Sequence, residues 1–542
     1  MRNPPDQRGP VAVAAALAFC LFALPAAAPA AAREVDAAPP VAEAAGAGHG
    51  QKPEAQKSGA QKPEGQTPEP RAAQATQRPP TTPPNPLPPP SVTRHTINLP
   101  QGALAFTATA GAIRLVDAQS GAPQADVAYV SYVREATDAA RPVVFALNGG
   151  PGAASGWLNL GALGPFLLDL GPGPYAPSAR PALVPNPDGW LDFADLVFID
   201  PPLTGYSRLF AKDEARRRFL SVDGDVAALA VVMRKWLNEN GRTRSPVFIV
   251  GESYGGFRAP KLARALQDDE GIGVDGLILI SPVLDFGWIE AQDSPLPAAA
   301  MLPSLAAAAR GLKPTDTAAL AEIEAYASGP YLADLLRAPR DPAVMDRLAA
   351  DVSRLTGLDP DLARRSGGRI DPSEFARERE RAQGRLLSRY DLDVSGLDPT
   401  PRERGGRAAD PVLDATKTAF AAAMAELTAR ELGWKVDARY EILNGSLSGQ
   451  WRWDGGRGSA QAIGDLRQAL ALDPSLRVLI VHGLTDAVTP YFASKLLIAQ
   501  LPPLGDPGRV ALKVYEGGHM PWLVASARAA LRQDARALIE AR

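Results

Sequence analysis

The chain has 542 residues, of which 46% are hydrophobic and 22% charged, so it can bury a large core in one sizeable domain with an insertion. Its formal net charge is -3 with both signs interspersed, which provides neither a basic stripe for nucleic acid nor a polybasic surface for a membrane. The composition therefore favours a small-molecule or peptide substrate over either of these partners.

Residues 1–32 have the layout of a secretory signal peptide. Arg2 and Arg8 precede an apolar run that ends in small residues. Cleavage near Ala32 exports the rest of the chain to the periplasm or the extracellular space. The single cysteine, Cys20, follows the bulky Phe19 inside this run, so we interpret it as part of the removed signal, with a lipid anchor as the alternative. The exported chain then has no disulfide and no cysteine metal site.

Residues 33–90 are biased towards Pro, Ala and Gln, as in "QKPEGQTPEPRAAQ", and have almost no large apolar side chain. Such a segment cannot bury a core, which predicts an extended, disordered tether. No later run is long and apolar enough to predict a transmembrane segment.

Residues 91–285 and 433–542 are predicted to form an α/β core. The segments "HTINL", "ALAFTATAGAIRLVD" and "VAYVSYV" favour an antiparallel set of strands at its start. Apolar runs then recur between helix-like stretches: "PVVFALN", "DLVFID", "PVFIV", "GLILIS", "RVLIVHG" and "VALKVYEG". This rhythm predicts a mostly parallel central sheet flanked by helices on both faces.

The strand rhythm stops between residues 286 and 432. This segment is rich in Ala, Arg, Asp and Leu, as in "AALAEIEAYASGPYLADLL", which predicts helices. An insertion of this size usually covers the strand ends where ligands bind, so we expect a helical cap.

The stretch "PVFIVGESYGGF" sets an apolar run before Gly-Glu-Ser-Tyr-Gly and a helix-like continuation. This is the arrangement of a nucleophile elbow, in which small residues two before and two after the serine let the chain turn tightly. Gly251 and Gly255 meet that need, so Ser253 is the predicted nucleophile. A phosphate-binding or turn-forming loop is the alternative.

A serine hydroxyl needs a base to take its proton and a carboxylate to orient that base. The α/β-hydrolase order of serine, acid and histidine leaves two candidate bases after Ser253, His482 and His519. Asp486 in "VLIVHGLTDAVTPY" and His519 in "VALKVYEGGHMPW" satisfy the order, whereas His482 precedes the acid and is interpreted as structural or supporting. Capping of a helix is the alternative role for Asp486.

Acyl transfer also needs hydrogen-bond donors for the developing oxyanion. The glycine-rich stretch "FALNGGPGAASGW" follows a strand and can bring a backbone N-H near the elbow. The N-H groups of Gly150 and Tyr254 are the predicted pair. An ordinary tight turn is the alternative for this loop.

Taken together, these motifs resemble the serine carboxypeptidase family, peptidase family S10. "LNGGPGAASG", "FIDPPLTGYS", "GESYGGFRAP", "GLTDAVTPY" and "GGHMPW" are similar to five ordered family motifs, and the likeness favours the bacterial branch. The resemblance implies an α/β-hydrolase fold and the removal of C-terminal residues from peptides. It implies Ser253, Asp486 and His519 as the triad, with Asn148 and Glu252 as readers of the substrate's terminal carboxylate.

One position departs from the family. A second glutamate, which shares a proton with the elbow glutamate, is replaced by Ala162 in "LNLGALGPF". Coupled carboxyls hold a proton to higher pH than either alone. We therefore expect Glu252 to ionise more readily, with a shifted pH optimum or weaker recognition of the C-terminus.

Two other functions compete with a secreted carboxypeptidase that acts on peptides with a free C-terminus. The same triad could serve an esterase or acyltransferase, and the missing glutamate makes this alternative relevant. A binding protein that kept the fold and lost activity is disfavoured because all three triad residues are present. No cofactor and no metal are predicted, because the four histidines are scattered and no glycine loop has a nucleotide-binding continuation. The sequence indicates no oligomeric state.

Overall fold

The computed structural model describes residues 86–541, with gaps at residue 101, residues 136–139, residues 172 and 292, residues 404–407 and residue 454. The predicted signal peptide and residues 33–85 of the predicted tether lie outside the described residues.

Ten strands of the described chain form one mixed sheet in the order β1-β2-β3-β7-β4-β9-β10-β13-β14, with β8 paired to β3. Two further pairs, β5 with β6 and β11 with β12, are separate. The strands are β1 (Ser91–Leu99), β2 (Gly102–Val116), β3 (Pro123–Arg134), β4 (Val143–Leu147), β5 (Phe166–Leu168), β6 (Leu183–Pro185), β7 (Asp195–Ile199), β8 (Arg208–Leu209), β9 (Val247–Glu252), β10 (Gly276–Ile280), β11 (Arg385–Leu387), β12 (Ser395–Leu397), β13 (Arg477–Gly483) and β14 (Val510–Tyr515).

The sheet has an antiparallel and a parallel part. Strands β1, β2, β3 and β7 pair antiparallel in that order. From β7 onwards, every neighbouring pair along the main path to β14 is parallel. Both parts agree with the sequence prediction, and the mostly parallel α/β architecture is confirmed.

Parallel strands are buried on both faces because helices cover each side of the sheet. In β10, Ile278 and Ile280 belong to one hydrophobic cluster, while Leu277 and Leu279 belong to the cluster on the other face. This two-sided burial explains why the sequence shows continuous apolar runs here and not an alternating pattern.

The helices cover the sheet and build the region between β10 and β13. They are α1 (Gly156–Leu158), α2 (Asp213–Phe219), α3 (Val222–Glu239), α4 (Tyr254–Asp268), α5 (Leu296–Arg310), α6 (Thr317–Tyr326), α7 (Leu332–Arg337), α8 (Pro342–Thr356), α9 (Pro360–Arg365), α10 (Pro372–Glu378), α11 (Leu413–Glu426), α12 (Ile463–Leu472), α13 (Tyr491–Ile498) and α14 (Ala525–Glu540).

Helices α5 to α10 lie in the segment predicted as a cap, and local sequence signals set their ends. For α8, the side chain of Asp341 accepts hydrogen bonds from two N-H groups of the first turn, and Pro342 occupies the first helical position. Gly357 ends the helix with a φ of 68°. The apolar faces of these helices form a third hydrophobic cluster, which includes Leu484 and Ala487 beside Asp486. The inserted helices therefore pack directly against the loop that follows β13.

Within the described part of the chain, no helix combines the length and the apolar character needed to cross a bilayer.

Candidate active site

Ser253 occupies a sharp turn between β9 and α4. Its φ of 59° and ψ of -120° lie outside the regions that residues with a side chain prefer. Such a conformation costs on the order of 1–3 kcal/mol and persists only where the surroundings enforce it. A Cβ atom on Gly251 would lie 2.1 Å from the carbonyl oxygen of Gly255, and one on Gly255 would lie 2.2 Å from that of Leu147. Both flanking glycines are therefore required by close backbone contacts.

Asp486 and His519 form a buried pair. Asp486 Oδ2 lies 2.9 Å from His519 Nδ1, so this nitrogen carries the proton that is donated to the carboxylate. Asp486 Oδ1 accepts hydrogen bonds from the N-H groups of Val488 and Thr489, at 2.7 and 2.9 Å. One carboxylate oxygen thus shapes the loop and the other orients the imidazole. The alternative role as a helix cap is not adopted, because α13 begins at Tyr491 with Pro490 before it.

Burial and pairing shift the pKa values of this pair in opposite directions. Burial raises the pKa of the Asp486 carboxyl, but the charge and N-H of His519 outweigh it, so the pKa lies below its usual range. Burial lowers the pKa of His519, but Asp486 outweighs it and holds the pKa above 6.5. The pair therefore stabilises the imidazolium that would form when His519 takes a proton.

Two residues that the sequence analysis did not assign as catalytic support the pair. The Thr489 hydroxyl lies 2.7 Å from Asp486 Oδ2 and 3.0 Å from His519 Nδ1. His482 is fully buried, with its two ring nitrogens 3.1 Å from Thr489 O and 2.9 Å from Ser494 Oγ. Because burial also lowers the pKa of His482 to about 4, this histidine is neutral near pH 7.

Ser253 and His519 line the same cavity, of about 690 Å³, beneath the inserted helices. No hydrogen bond joins the Ser253 hydroxyl to His519 among the described contacts. Such bonds are often long without substrate and shorten when it binds. The remaining two histidines both precede Ser253 in the chain: His95 lies in β1, and His49 lies outside the described residues.

The glycine loop packs against the elbow. A Cβ atom on Gly149 would lie 2.6 Å from Tyr254 N and 2.8 Å from Ser253 Cβ, so only glycine allows this approach. Gly150 has a φ of 104°. The N-H groups of Gly150 and Tyr254 donate to no acceptor among the described residues, and both residues line the cavity with Ser253. The arrangement leaves two donors free for an oxyanion.

Asn148 and Glu252 meet in the cavity wall. Asn148 Nδ2 donates to Glu252 Oε2 at 2.5 Å, and Asn148 Oδ1 accepts from Leu158 N at 3.0 Å. Because the amide nitrogen has two N-H groups, one remains for a ligand. Burial raises the pKa of Glu252 to about 7, although His519, Trp522 and Asn148 act against it. Burial therefore opposes the expectation that Glu252 ionises readily.

The surroundings of Glu252 differ from those expected for a carboxyl pair. Ala162 is buried in a π-helical turn, Asn159–Leu163, that continues α1. A Cβ atom on Gly161 would lie 2.2 Å from the indole ring of Trp522, so this glycine makes room for the tryptophan. The Trp522 indole lies close enough to Glu252 for its N-H to favour the charged carboxylate, although the N-H makes no direct hydrogen bond. A large aromatic residue therefore lies beside Glu252 in this region.

A buried ion pair between Arg258 and Asp225 lies next to the elements that carry the predicted oxyanion donors. Arg258 Nε lies 2.5 Å from Asp225 Oδ2, and both side chains are almost fully buried. Arg258 Nη1 donates to the carbonyl oxygen of Asn148 at 2.7 Å, and its guanidinium lies 4.6 Å from the ring centre of Tyr254. This arginine therefore contacts both elements that carry the predicted oxyanion donors.

The glycine loop has a second anchor in the segment after β7. Asp200 Oδ1 accepts from Ser155 N at 2.9 Å and from the Tyr440 hydroxyl at 3.0 Å. Burial raises the pKa of Asp200 to about 7. A Cβ atom on Gly205 would lie 1.8 Å from the Asp200 carboxylate, which explains the glycine in "DPPLTGYS". In the described part of the chain, no group of three or more His, Cys, Asp and Glu side chains is placed to hold a metal ion.

Comparisons with known proteins agree with this fold, and a family match covers one part of the chain. Residues 106–286 match the family described as serine carboxypeptidase, peptidase S10. This stretch contains the glycine loop and the elbow, and it ends before Asp486 and His519. The resemblance found in the sequence is thereby confirmed for this part of the chain.

Two curated relatives are similar to this chain over 156 and 146 residues. Serine carboxypeptidase-like 51 of Arabidopsis thaliana is 34% identical over 156 residues, which cover 28% of this chain and 31% of the relative. The pheromone-processing carboxypeptidase kex1 of Schizosaccharomyces pombe is 32% identical over 146 residues, covering 26% of this chain and 25% of the relative. The chain thus spans about a third or less of these relatives' lengths.

Among solved structures, the prohormone-processing carboxypeptidase Kex1 of Saccharomyces cerevisiae aligns with a TM-score of 0.50 and 14% identity. The alignment covers 80% of this chain and 91% of that chain. At this identity the likeness concerns the fold alone, and it confirms the predicted α/β-hydrolase architecture.

Proposed function

We propose that the protein is a serine-type carboxypeptidase that hydrolyses the C-terminal residue of peptides through an acyl-enzyme intermediate. The observation that carries this proposal is the cavity that the strained Ser253, His519 and the Asn148–Glu252 pair line together, with Asp486 buried behind His519. The first two elements provide a nucleophile and its base, and the third can bind a terminal carboxylate. The matching family domain supports the same activity.

In the proposed first step, Ser253 Oγ attacks the carbonyl carbon of the scissile bond while His519 Nε2 takes the serine proton. Asp486 holds the imidazole by its Nδ1-H. The negative charge on the carbonyl oxygen is met by the free N-H groups of Gly150 and Tyr254. The C-N bond then breaks as His519 returns the proton to the leaving amine.

In the proposed second step, water replaces the released amino acid. His519 takes a proton from this water, whose oxygen attacks the acyl carbon, and the bond to Ser253 Oγ breaks as the proton returns to the serine. The peptide shortened by one residue leaves with a new carboxylate, and Ser253 is restored.

Selection of the C-terminus is assigned to Asn148 and Glu252. The free N-H of Asn148 and the protonated carboxyl of Glu252 can both donate to a substrate carboxylate. Burial keeps Glu252 protonated below about pH 7, which supports this role. Above that pH, the charged carboxylate would repel the substrate.

We also propose that the protein is exported and that it represents the bacterial branch of the family. The basic start and apolar run of residues 1–32 support export. The absence of cysteine after Cys20, which leaves the exported chain without disulfides, supports the second proposal.

The test uses N-blocked dipeptides with a free C-terminus and their amide and ester counterparts, from about pH 4 to about pH 8. Release of the C-terminal residue from the free acids, abolished in Ser253→Ala, is the expected result. If the wild-type protein leaves all free acids intact, the proposal is wrong.

An esterase or acyltransferase is the second candidate, and the alanine at residue 162 favours it. Compared with the family pattern, the group that is proposed to bind the substrate carboxylate, Asn148 and Glu252, lacks one carboxyl. Turnover of esters or amides without turnover of the free acids would select this candidate, because the triad would work without recognition of a carboxylate.

A further inference from the structure

Arg389 lies where the inserted helices meet the candidate active site. Its exposed side chain lines the cavity together with His519. Arg389 Nη1 donates to Ser373 Oγ at 3.1 Å, and no carboxylate of the described residues lies within ion-pair distance of this guanidinium. The cavity wall therefore presents a positive charge that the protein itself does not neutralise at close range.

Besides Glu252 and His519, the other charged groups in this wall are differently placed. Arg457 pairs with Glu290 at 2.7 Å. Asp371 accepts hydrogen bonds from two N-H groups at the start of α10, so its carboxylate is held by the backbone. Arg369 also lines the cavity, but its side chain is half-buried and makes contacts of its own, whereas that of Arg389 is exposed. Arg389 is thus the charge in this set best placed to meet a ligand.

The backbone around Arg389 is fastened to the loops that carry Asp486 and His519. An arginine on a mobile loop would be a poor recognition group, because ordering it would cost conformational entropy. Here the carbonyl oxygen of Arg389 accepts from Ala487 N at 3.1 Å, and that of Tyr390 accepts from His519 N at 2.5 Å. Two further bonds reach Thr485: Leu392 N donates to its carbonyl oxygen at 3.2 Å, and its hydroxyl donates to Asp391 Oδ1 at 2.8 Å.

We propose that Arg389 determines specificity by binding an acidic side chain of the peptide substrate, an aspartate or glutamate next to the scissile bond. This inference rests on the proposed function. A planar guanidinium forms paired hydrogen bonds with a carboxylate. A substrate amide has the same shape as the carboxylate but carries no negative charge, so it binds the guanidinium more weakly. Arg389 lines the same cavity as Ser253 and His519, so an anion bound to its guanidinium lies near the reacting groups.

The magnitude follows from the exposure of the arginine. A solvent-accessible ion pair is worth up to about 1 kcal/mol, which corresponds to about a five-fold preference in kcat/KM. Salt weakens such a pair, so the preference falls towards unity at about 1 M salt.

The experiment compares N-blocked dipeptides that differ only by Glu or Gln on either side of the scissile bond. For the wild-type protein, we expect kcat/KM to favour Glu over Gln about five-fold at one of the two positions. Arg389→Gln removes this preference and leaves turnover of the Gln peptide within about two-fold, while Arg389→Glu favours Lys over Gln. Arg365→Gln serves as the matched control, because this exposed arginine lies on the inserted segment but does not line the cavity.

Equal kcat/KM for the Glu and Gln peptides at both positions in the wild-type protein would overturn the inference. An unchanged preference in Arg389→Gln, or the same loss in Arg365→Gln, would overturn it as well. If no peptide is hydrolysed, the proposed function fails, and the inference is tested separately by protection of Ser253 from a fluorophosphonate. N-blocked glutamate must then protect better than N-blocked glutamine, and only when Arg389 is present.

Discussion

The substitution Glu252→Gln tests how the site reads a C-terminal carboxylate. Glutamine keeps an oxygen that can accept from Asn148 Nδ2 and an N-H that can donate to a substrate, but it cannot ionise. The wild-type side chain loses its proton around pH 7, because burial raises its pKa to about 7. The variant therefore removes a titration and preserves the shape of the site.

The size of the effect follows from this pKa. Above pH 7, the protonated fraction of Glu252 falls about ten-fold per pH unit, and kcat/KM for free-acid peptides should fall with it. Stability changes in the window just below this one, between the unfolded-state and folded-state pKa values of Glu252. Since folding raises the pKa of Glu252 from 4.5 to about 7, its contribution is fully present below pH 4.5 and is lost as pH rises through 7. The loss amounts to about 3 kcal/mol.

The assay measures kcat/KM of an N-blocked dipeptide and its ester from about pH 5 to about pH 9. For both substrates, kcat/KM should rise with pH along an acid limb as His519 loses its proton. Only for the free-acid peptide should kcat/KM fall again along an alkaline limb, as Glu252 loses its proton. In Glu252→Gln the alkaline limb disappears. Urea unfolding at the same pH values measures the gain in stability of the variant over the wild-type protein above pH 7.

Two results would refute this reasoning. If acid and ester lose activity together in the wild-type protein above pH 7, the titrating group is not a reader of the carboxylate. If Glu252→Gln keeps the alkaline limb, another residue titrates there.

Three further substitutions give distinct expectations. Asp486→Asn should lower kcat about 10⁴-fold with little change in KM, since the imidazole loses its orienting charge; a change under ten-fold in steady-state kinetics would contradict the assigned role. Gly149→Ala should destabilise the protein by about 1–3 kcal/mol and lower kcat, because the new methyl group would meet Tyr254 N; unaltered urea unfolding and kcat would count against this packing. Trp522→Phe should move the alkaline limb of Glu252 to higher pH, since the indole N-H favours the carboxylate, whereas Trp236→Phe, at another buried indole without an acceptor, should leave the limb in place.

Much of the fold was predictable because its signals are local. Five of the six parallel strands are apolar runs that are buried on two faces, whereas the edge strand β14 is only half-buried. The antiparallel β1, β2 and β3 follow from β-forming segments separated by turns. The elbow was readable because backbone crowding demands glycine at Gly251 and Gly255.

The candidate site was predictable where chain order and residue scarcity left few choices. Only His482 and His519 follow Ser253, and their positions relative to Asp486 distinguish them. Thr489 was visible three residues after the acid, but no sequence rule indicates that its hydroxyl contacts Asp486.

The sequence by itself therefore determined the order of the strands along the chain, the elbow and the candidate triad, since these depend on residue types and short spacings. Only the tertiary structure decided the protonation of Glu252, because burial is a property of the packed fold. It also decided that Arg258 supports Asn148 from a distant helix and that Arg389 is anchored beside His519. Such contacts join segments that are far apart in the chain, and no local pattern encodes them.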